Sequence, residues 1–160
     1  MVAAYDFFVP VAPVAQPRVR ARVFKTALGH RGGVYHPKGP VDAYKHAVRM
    51  TAGKLFEGQQ PLTGPVVADM VFLMPRTKAQ TWKRKPMVRL PFAKKPDRDN
   101  LDKAVLDALS GIAFVDDAQV FDGRVTKWTA AGDEIPGVHI SLAVFATHGT
   151  NAFGEGEGQS

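Results

Sequence analysis

The sequence predicts a small single-domain α+β protein, a mixed β-sheet with two main helices packed on it. Three observations carry that reading. A chain of 160 residues is long enough to bury a core with no disulfide, and it contains no cysteine. Residues 41–56 and 99–109 repeat apolar side chains at three- and four-residue steps, the spacing of a helix with one buried face. Around them lie short apolar runs bounded by Gly and Pro, the pattern of strands. The domain is expected to span residues 1–146, with 147–160 as a disordered Gly- and Glu-rich tail.

Bulk composition narrows the function classes. With 45% hydrophobic and 22% charged residues, the chain is ordinary for a soluble globular protein. The net charge of +6 and a pI near 9.7 favour nucleic acid or an anionic surface as partner, though a basic pI is also common among proteins that bind no nucleic acid. The absence of cysteine excludes thiolate metal sites and a cysteine nucleophile. Residues 1–17 are apolar but carry Asp6, lack an early cation and are broken by Pro10, Pro13 and Pro17. They predict neither a signal peptide nor a membrane span, so a cytoplasmic protein without membrane partners is expected.

In chain order, residues 5–14 read as a strand near a sheet edge, because Phe and Val give way to prolines. Residues 18–23 alternate strictly, so a strand would put Arg18, Arg20 and Arg22 on one face and Val19, Ala21 and Val23 on the other. The arginine row suits phosphate contacts, and it equally suits a half-exposed strand with solvated charges. Residues 27–40 hold four glycines and two prolines and predict a loop, with His30, Arg31, Tyr35, His36 and Lys38 available to a substrate. The first helix, 41–56, would bury Val41, Tyr44, Ala47, Val48, Ala52 and Leu55.

After a turn-rich connection, residues 65–74 predict a central strand despite Asp69. Residues 78–98 then hold eight cations against one acid, Asp97, with no helical or strand period. A long basic loop carrying Lys83, Arg84, Lys85, Lys94 and Lys95, with Trp82 and Phe92 for stacking, suits nucleic acid. A merely solvated insertion would look the same. Residues 99–109 form the second helix, burying Leu101, Ala104, Val105, Ala108 and Leu109 and stopping at Ser110-Gly111. Residues 119–129 and 138–145 predict the last two strands.

The chemistry concentrates at the start of the second helix. Asp99, Lys103 and Asp107 stay near one exposed face, drifting about 40° per four-residue step. If Asp116-Asp117 folds back there, three or more carboxylates meet. A carboxylate cluster without Cys or His favours Mg²⁺ or Mn²⁺, which keep waters and bridge to substrate phosphates. Such a site suits in-line attack of water on a phosphodiester, with Lys103 facing the developing charge. A plainer reading also fits: Asp97 caps the helix, Asp99 pairs with Lys103, and Asp116-Asp117 makes a turn. No Walker loop, GxSxG, GxGxxG, HExxH or EF-hand pattern offers competing chemistry.

The run Pro96-Asp97-Arg98-Asp99-Asn100-Leu101-Asp102-Lys103-Ala104-Val105-Leu106-Asp107-Ala108-Leu109, followed by Asp116-Asp117-Ala118-Gln119-Val120, resembles the RusA family of Holliday junction resolvases. The resemblance is strongest over residues 94–128; Tyr44-Lys45 and residues 65–74 match more loosely. It implies a homodimeric, Mg²⁺-dependent endonuclease (Mn²⁺ substituting) that resolves four-way DNA junctions by paired symmetric nicks. It places the essential carboxylates on Asp97, Asp99 and Asp117, the catalytic lysine on Lys103, and supporting roles on Asp116 and Asp107. Two alternatives remain: a branched-DNA-binding protein without catalysis, and a nuclease of other branched nucleic acids.

Overall fold

The computed structural model describes residues 4–35 and 39–146. The expected tail, 147–160, and the predicted loop residues His36 and Lys38 lie outside the described residues. The described elements form a single domain of the expected α+β class, one mixed sheet with two helices on it, plus a separate two-stranded hairpin.

The sheet is built around β4, Val66–Met74. Its residues Val66, Ala68, Met70, Phe72 and Met74 alternate onto one face and are buried there with the helices. On one side β4 pairs antiparallel with β8, Gly137–Val144, which pairs in turn with the edge strand β1, Ala4–Val9. On the other side β4 pairs parallel with β7, Val125–Thr129, whose outer neighbour is the two-residue β5, Leu90–Pro91. The prolines that follow Val9 end β1 earlier than the predicted residue 14, since they cannot donate to a ladder.

The strand predicted at 119–129 is interrupted. A 3-10 turn at Asp117–Gln119 leads into β6, Val120–Asp122, which pairs parallel with the start of β4, and β7 then resumes beyond Gly123-Arg124. Asp69 explains the break and its own place in an apolar strand. Its Oδ1 accepts the Arg124 backbone N–H at 2.6 Å, while Arg124 O accepts from Met70 N at 2.8 Å. Gly123 crosses β4 so closely that a Cβ would stand 2.0 Å from Ala68 O.

The helices are α1, Pro40–Leu55, and α2, Arg98–Leu109. α1 buries Val41, Tyr44, Val48 and Ala52 as its spacing predicts, but Leu55 is exposed and Phe56 takes the buried place after it. Burial pushes the Tyr44 hydroxyl above the usual tyrosine range. α2 buries all five predicted residues, and Gly111, at φ +81°, turns the chain where Ser110 ends the helix. Arg49 Nε donates to Ala108 O at 3.2 Å, joining the two helices. Among the described residues no helix is long and apolar enough to cross a membrane.

The largest departure from expectation is at residues 27–40. Gly29–Tyr35 forms β3, the antiparallel partner of β2, Arg20–Thr26, through a two-residue turn at Ala27-Leu28. A glycine-rich segment carries little side-chain signal for a strand, but pairing with a neighbour satisfies its backbone groups along one edge. The apolar side of β2 does not reach the core: Ala21 and Val23 are exposed, as is Val19 just before the strand.

Gly123→Ala should lower stability by about 2–4 kcal/mol, from a steric clash with backbone plus an unfavourable φ. Chemical denaturation reads this directly, and a loss under about 0.5 kcal/mol would contradict the close crossing of Gly123 over β4.

Candidate active site

α2 begins where its sequence predicts. Asp97 occupies the N-cap position in extended conformation, but its side chain makes no capping hydrogen bond. Its Oδ2 instead accepts from Arg18 Nη2 at 3.0 Å. The plainer reading of Asp97 as a side-chain cap is therefore corrected: a cation from 79 residues away competes better for the carboxylate than the backbone amides do. A second contact, Gln16 N to Asn100 O at 2.8 Å, ties the same segment to the helix start.

Asp99 stands exposed in the first turn, and no described residue pairs with it. Lys103 lies one turn further on, 61% exposed, and its Nζ reaches Asp107 Oδ1 at 3.9 Å. Asp107 also meets Lys45 Nζ of α1 at 3.4 Å. The expected Asp99–Lys103 pair is thus replaced by Lys103–Asp107, and Lys103 keeps its solvent-facing position. At the far end of the motif, Asp116 Oδ1 accepts from Ala118 N at 2.8 Å and caps the 3-10 turn. Gln119 completes the cap through Asp116 N and also donates to Leu62 O and Gly64 O. Asp117 is exposed and unpaired among the described residues. The 3-10 turn abuts α2.

Among the described residues, no three His, Asp or Glu side chains stand together as a metal-holding group. The donor chemistry still fits a hard cation: the exposed acids at α2 and the 3-10 turn offer only oxygens, with no His or Cys among them. Mg²⁺ is ordinarily held by one or two carboxylates together with waters and substrate phosphates.

Two further residues at this site escaped the sequence patterns. Lys127, on β7, sends its Nζ to Lys94 O at 2.8 Å and to Pro96 O at 2.7 Å, and sits 5.4 Å from the Phe92 ring centroid. It pins the chain that delivers Asp97. A cation in the middle of a short strand reads as a solvated residue, so no sequence signal marks it. Asp102 is half-buried on α2, and burial pushes its carboxyl above the usual range, opposed by Arg98 and reinforced by Asp99.

The basic loop is partly organised. Arg76 donates to Gln80 O, Val88 O and Ala130 O and holds it against the sheet. Arg89 is engaged by Glu134 at 2.7 Å, so it is not a spare cation. Trp82 and Phe92, expected to be available for stacking, are half-buried and have intramolecular neighbours. Trp82 lies near the Arg76 guanidinium and the Lys85 ammonium and donates to Pro86 O, whereas Phe92 packs against the core. Lys83, Arg84, Lys85, Lys94 and Lys95 are exposed. Arg18 is exposed beside Asp97, and Arg20 and Arg22 lie on β2.

A model of the family described as endodeoxyribonuclease RusA matches residues 10–143. The chain is also 32% identical over 137 residues to the uncharacterized protein YqaN of Bacillus subtilis (strain 168), an alignment covering 81% of this chain and 89% of that protein. This chain belongs to the RusA endodeoxyribonuclease family.

The raised Asp102 carboxyl gives a signed pH prediction. With its folded value above the ordinary 3.8, ionisation penalises the folded state, so this residue favours folding in acid and the benefit is lost as pH rises through the raised value. Asp102→Asn should therefore raise Tm at neutral pH, with the gain vanishing below pH 3.8. Thermal melts across that range test it; an unchanged or lower Tm at neutral pH would show that the burial penalty is absent.

Proposed function

We propose that the protein is a Mg²⁺-dependent, homodimeric resolvase that hydrolyses one phosphodiester in each of two symmetry-related strands of a four-way DNA junction. The observation that carries this reading is the start of α2. It presents Asp97, Asp99 and, one turn on, Lys103 to solvent, within a chain that matches the RusA family over residues 10–143. Surrounding cations on the basic loop and β2 give the affinity for a polyanion that such a substrate demands.

In this reading Asp97, Asp99 and Asp117 hold the ion, with Asp116 in support. Asp117 is the better donor of the acidic pair, because Asp116 already serves as a cap. When bound, the ion neutralises phosphate charge and makes a water more acidic. Arg18 must yield Asp97 and is then placed to meet a phosphate with the same guanidinium. Lys103 offers a positive charge where negative charge grows on the phosphoryl oxygens during attack. Asp107 keeps that ammonium oriented across one helical turn. A two-fold dimer supplies two such sites, the number a symmetric junction requires. The absence of a three-acid group in the described geometry favours a second reading, a branched-DNA-binding protein without catalysis.

Asp99→Asn should abolish cleavage of a synthetic four-way junction in Mg²⁺ while leaving junction affinity within about twofold, since shape is kept and one charge is lost. Near-normal cutting by this variant would remove Asp99 from the site. Binding by the unaltered protein without any cutting would establish the non-catalytic reading, and nicking confined to flaps or forks would shift the substrate class.

Replacing Lys83, Arg84 and Lys85 together by Ala should weaken junction binding and flatten the slope of log affinity against log salt by up to about 2.7, if each contacts one phosphate. Titrations at several salt concentrations measure that slope. An unaltered slope returns the loop to a solvated insertion.

A further inference from the structure

The β2–β3 hairpin is unlike the rest of the molecule. Neither strand joins the main sheet, and Val19, Val23 and Leu28 stand 57%, 70% and 102% exposed. Leu28 is at the very tip, held out by a two-residue turn in which Thr26 Oγ1 donates to Gly29 O at 2.8 Å and Gly29 adopts φ +124°. The hairpin belongs to a stretch, residues 7–41, with six Lys or Arg and no Asp or Glu. Its base is fastened to the start of α2 by Arg18–Asp97 and by Gln16 N–Asn100 O.

An acid-free, cationic arm is complementary to a polyanion. Two copies of it brought together around a two-fold axis would repel each other, so a second copy of this chain is the poorer occupant. Seven residues per strand give the arm a reach of roughly 20 Å, about six base-pair steps. A bare aliphatic side chain at the end of a basic arm matches the apolar wedges that DNA-bending proteins insert between base steps. Unstacking is least costly where stacking is already broken, as at a branch point.

We propose that the β2–β3 hairpin is a DNA-reading arm whose tip residue, Leu28, wedges into the unstacked bases at a branch point while its cationic strands follow the adjoining duplex. The arm thereby supplies preference for branched over linear DNA, and its fastening at Asp97 couples that reading to the candidate catalytic helix. This inference rests on the branched-DNA reading given above.

The test uses the full chain in Ca²⁺ buffer, with 2-aminopurine at the branch point of a four-way junction and at the centre of a matched duplex. The unaltered protein should raise fluorescence on the junction only. Leu28→Ser should lose that rise and about tenfold of the junction-over-duplex preference, while duplex affinity stays within about twofold. Leu28→Phe, which restores an apolar wedge, should keep both. Leu28 touches nothing that folding needs, and a circular dichroism melt of each variant checks this. A fluorescence rise and preference unchanged in Leu28→Ser overturn the wedge while leaving the resolvase reading intact. If the unaltered protein prefers no junction at all, both fall. Loss of self-association in sedimentation, with junction binding untouched, would assign the arm to a second copy instead.

Discussion

Burial of one stripe of α2 determines where the candidate site stands. Leu101, Ala104, Val105, Ala108 and Leu109 are all buried, packed with α1 and the inner face of β4. Each of the larger ones contributes on the order of 1.5–3 kcal/mol by leaving water. A helix so anchored cannot rotate without exposing that stripe. Asp99, Lys103 and Asp107 are consequently held on the outward side, and the helix start is held at the surface where a phosphate can approach.

Around that anchor the chain uses polar contacts to aim, rather than to stabilise. Lys127 fixes the carbonyls of Lys94 and Pro96, just before the N-cap. Asp69 holds the chain at Arg124, in the break that separates β6 from β7, and Gln119 ties the acidic 3-10 turn to residues 62 and 64. Each joins segments far apart in sequence, and each ends near the motif. The exposed Arg18–Asp97 pair adds little stability by itself, since surface pairs are worth at most about 1 kcal/mol. Its importance is positional: it joins the hairpin to a carboxylate of the candidate site.

Much of this was readable in the residues alone, and the reason differs by element. α1, α2 and β4 bury their side chains with a strict period, so their existence, faces and approximate limits follow from spacing. The hairpin partner β3 has the residue pattern of a loop because glycines leave no side-chain period, and its strand character comes from main-chain pairing with β2. The sequence leaves the aromatic residues of the basic loop available for stacking. Trp82 has cations near it and Phe92 packs partly against the core, and neither neighbour is visible in the local pattern.

By itself, then, the sequence determined the α+β class, the two amphipathic helices, the excess of positive charge and the paired acidic motif on which the resemblance to the RusA family rests. These are consequences of local periodicity and composition, which act over a few residues or over the whole chain. Only the tertiary structure decided that Arg18 closes on Asp97, that Lys103 turns to Asp107, that Asp116 is spent on a cap, and that a bare basic hairpin projects beside the helix start. Those outcomes depend on which distant groups compete for the same carboxylate or the same backbone edge. That competition exists only once the core has brought the groups within reach of each other.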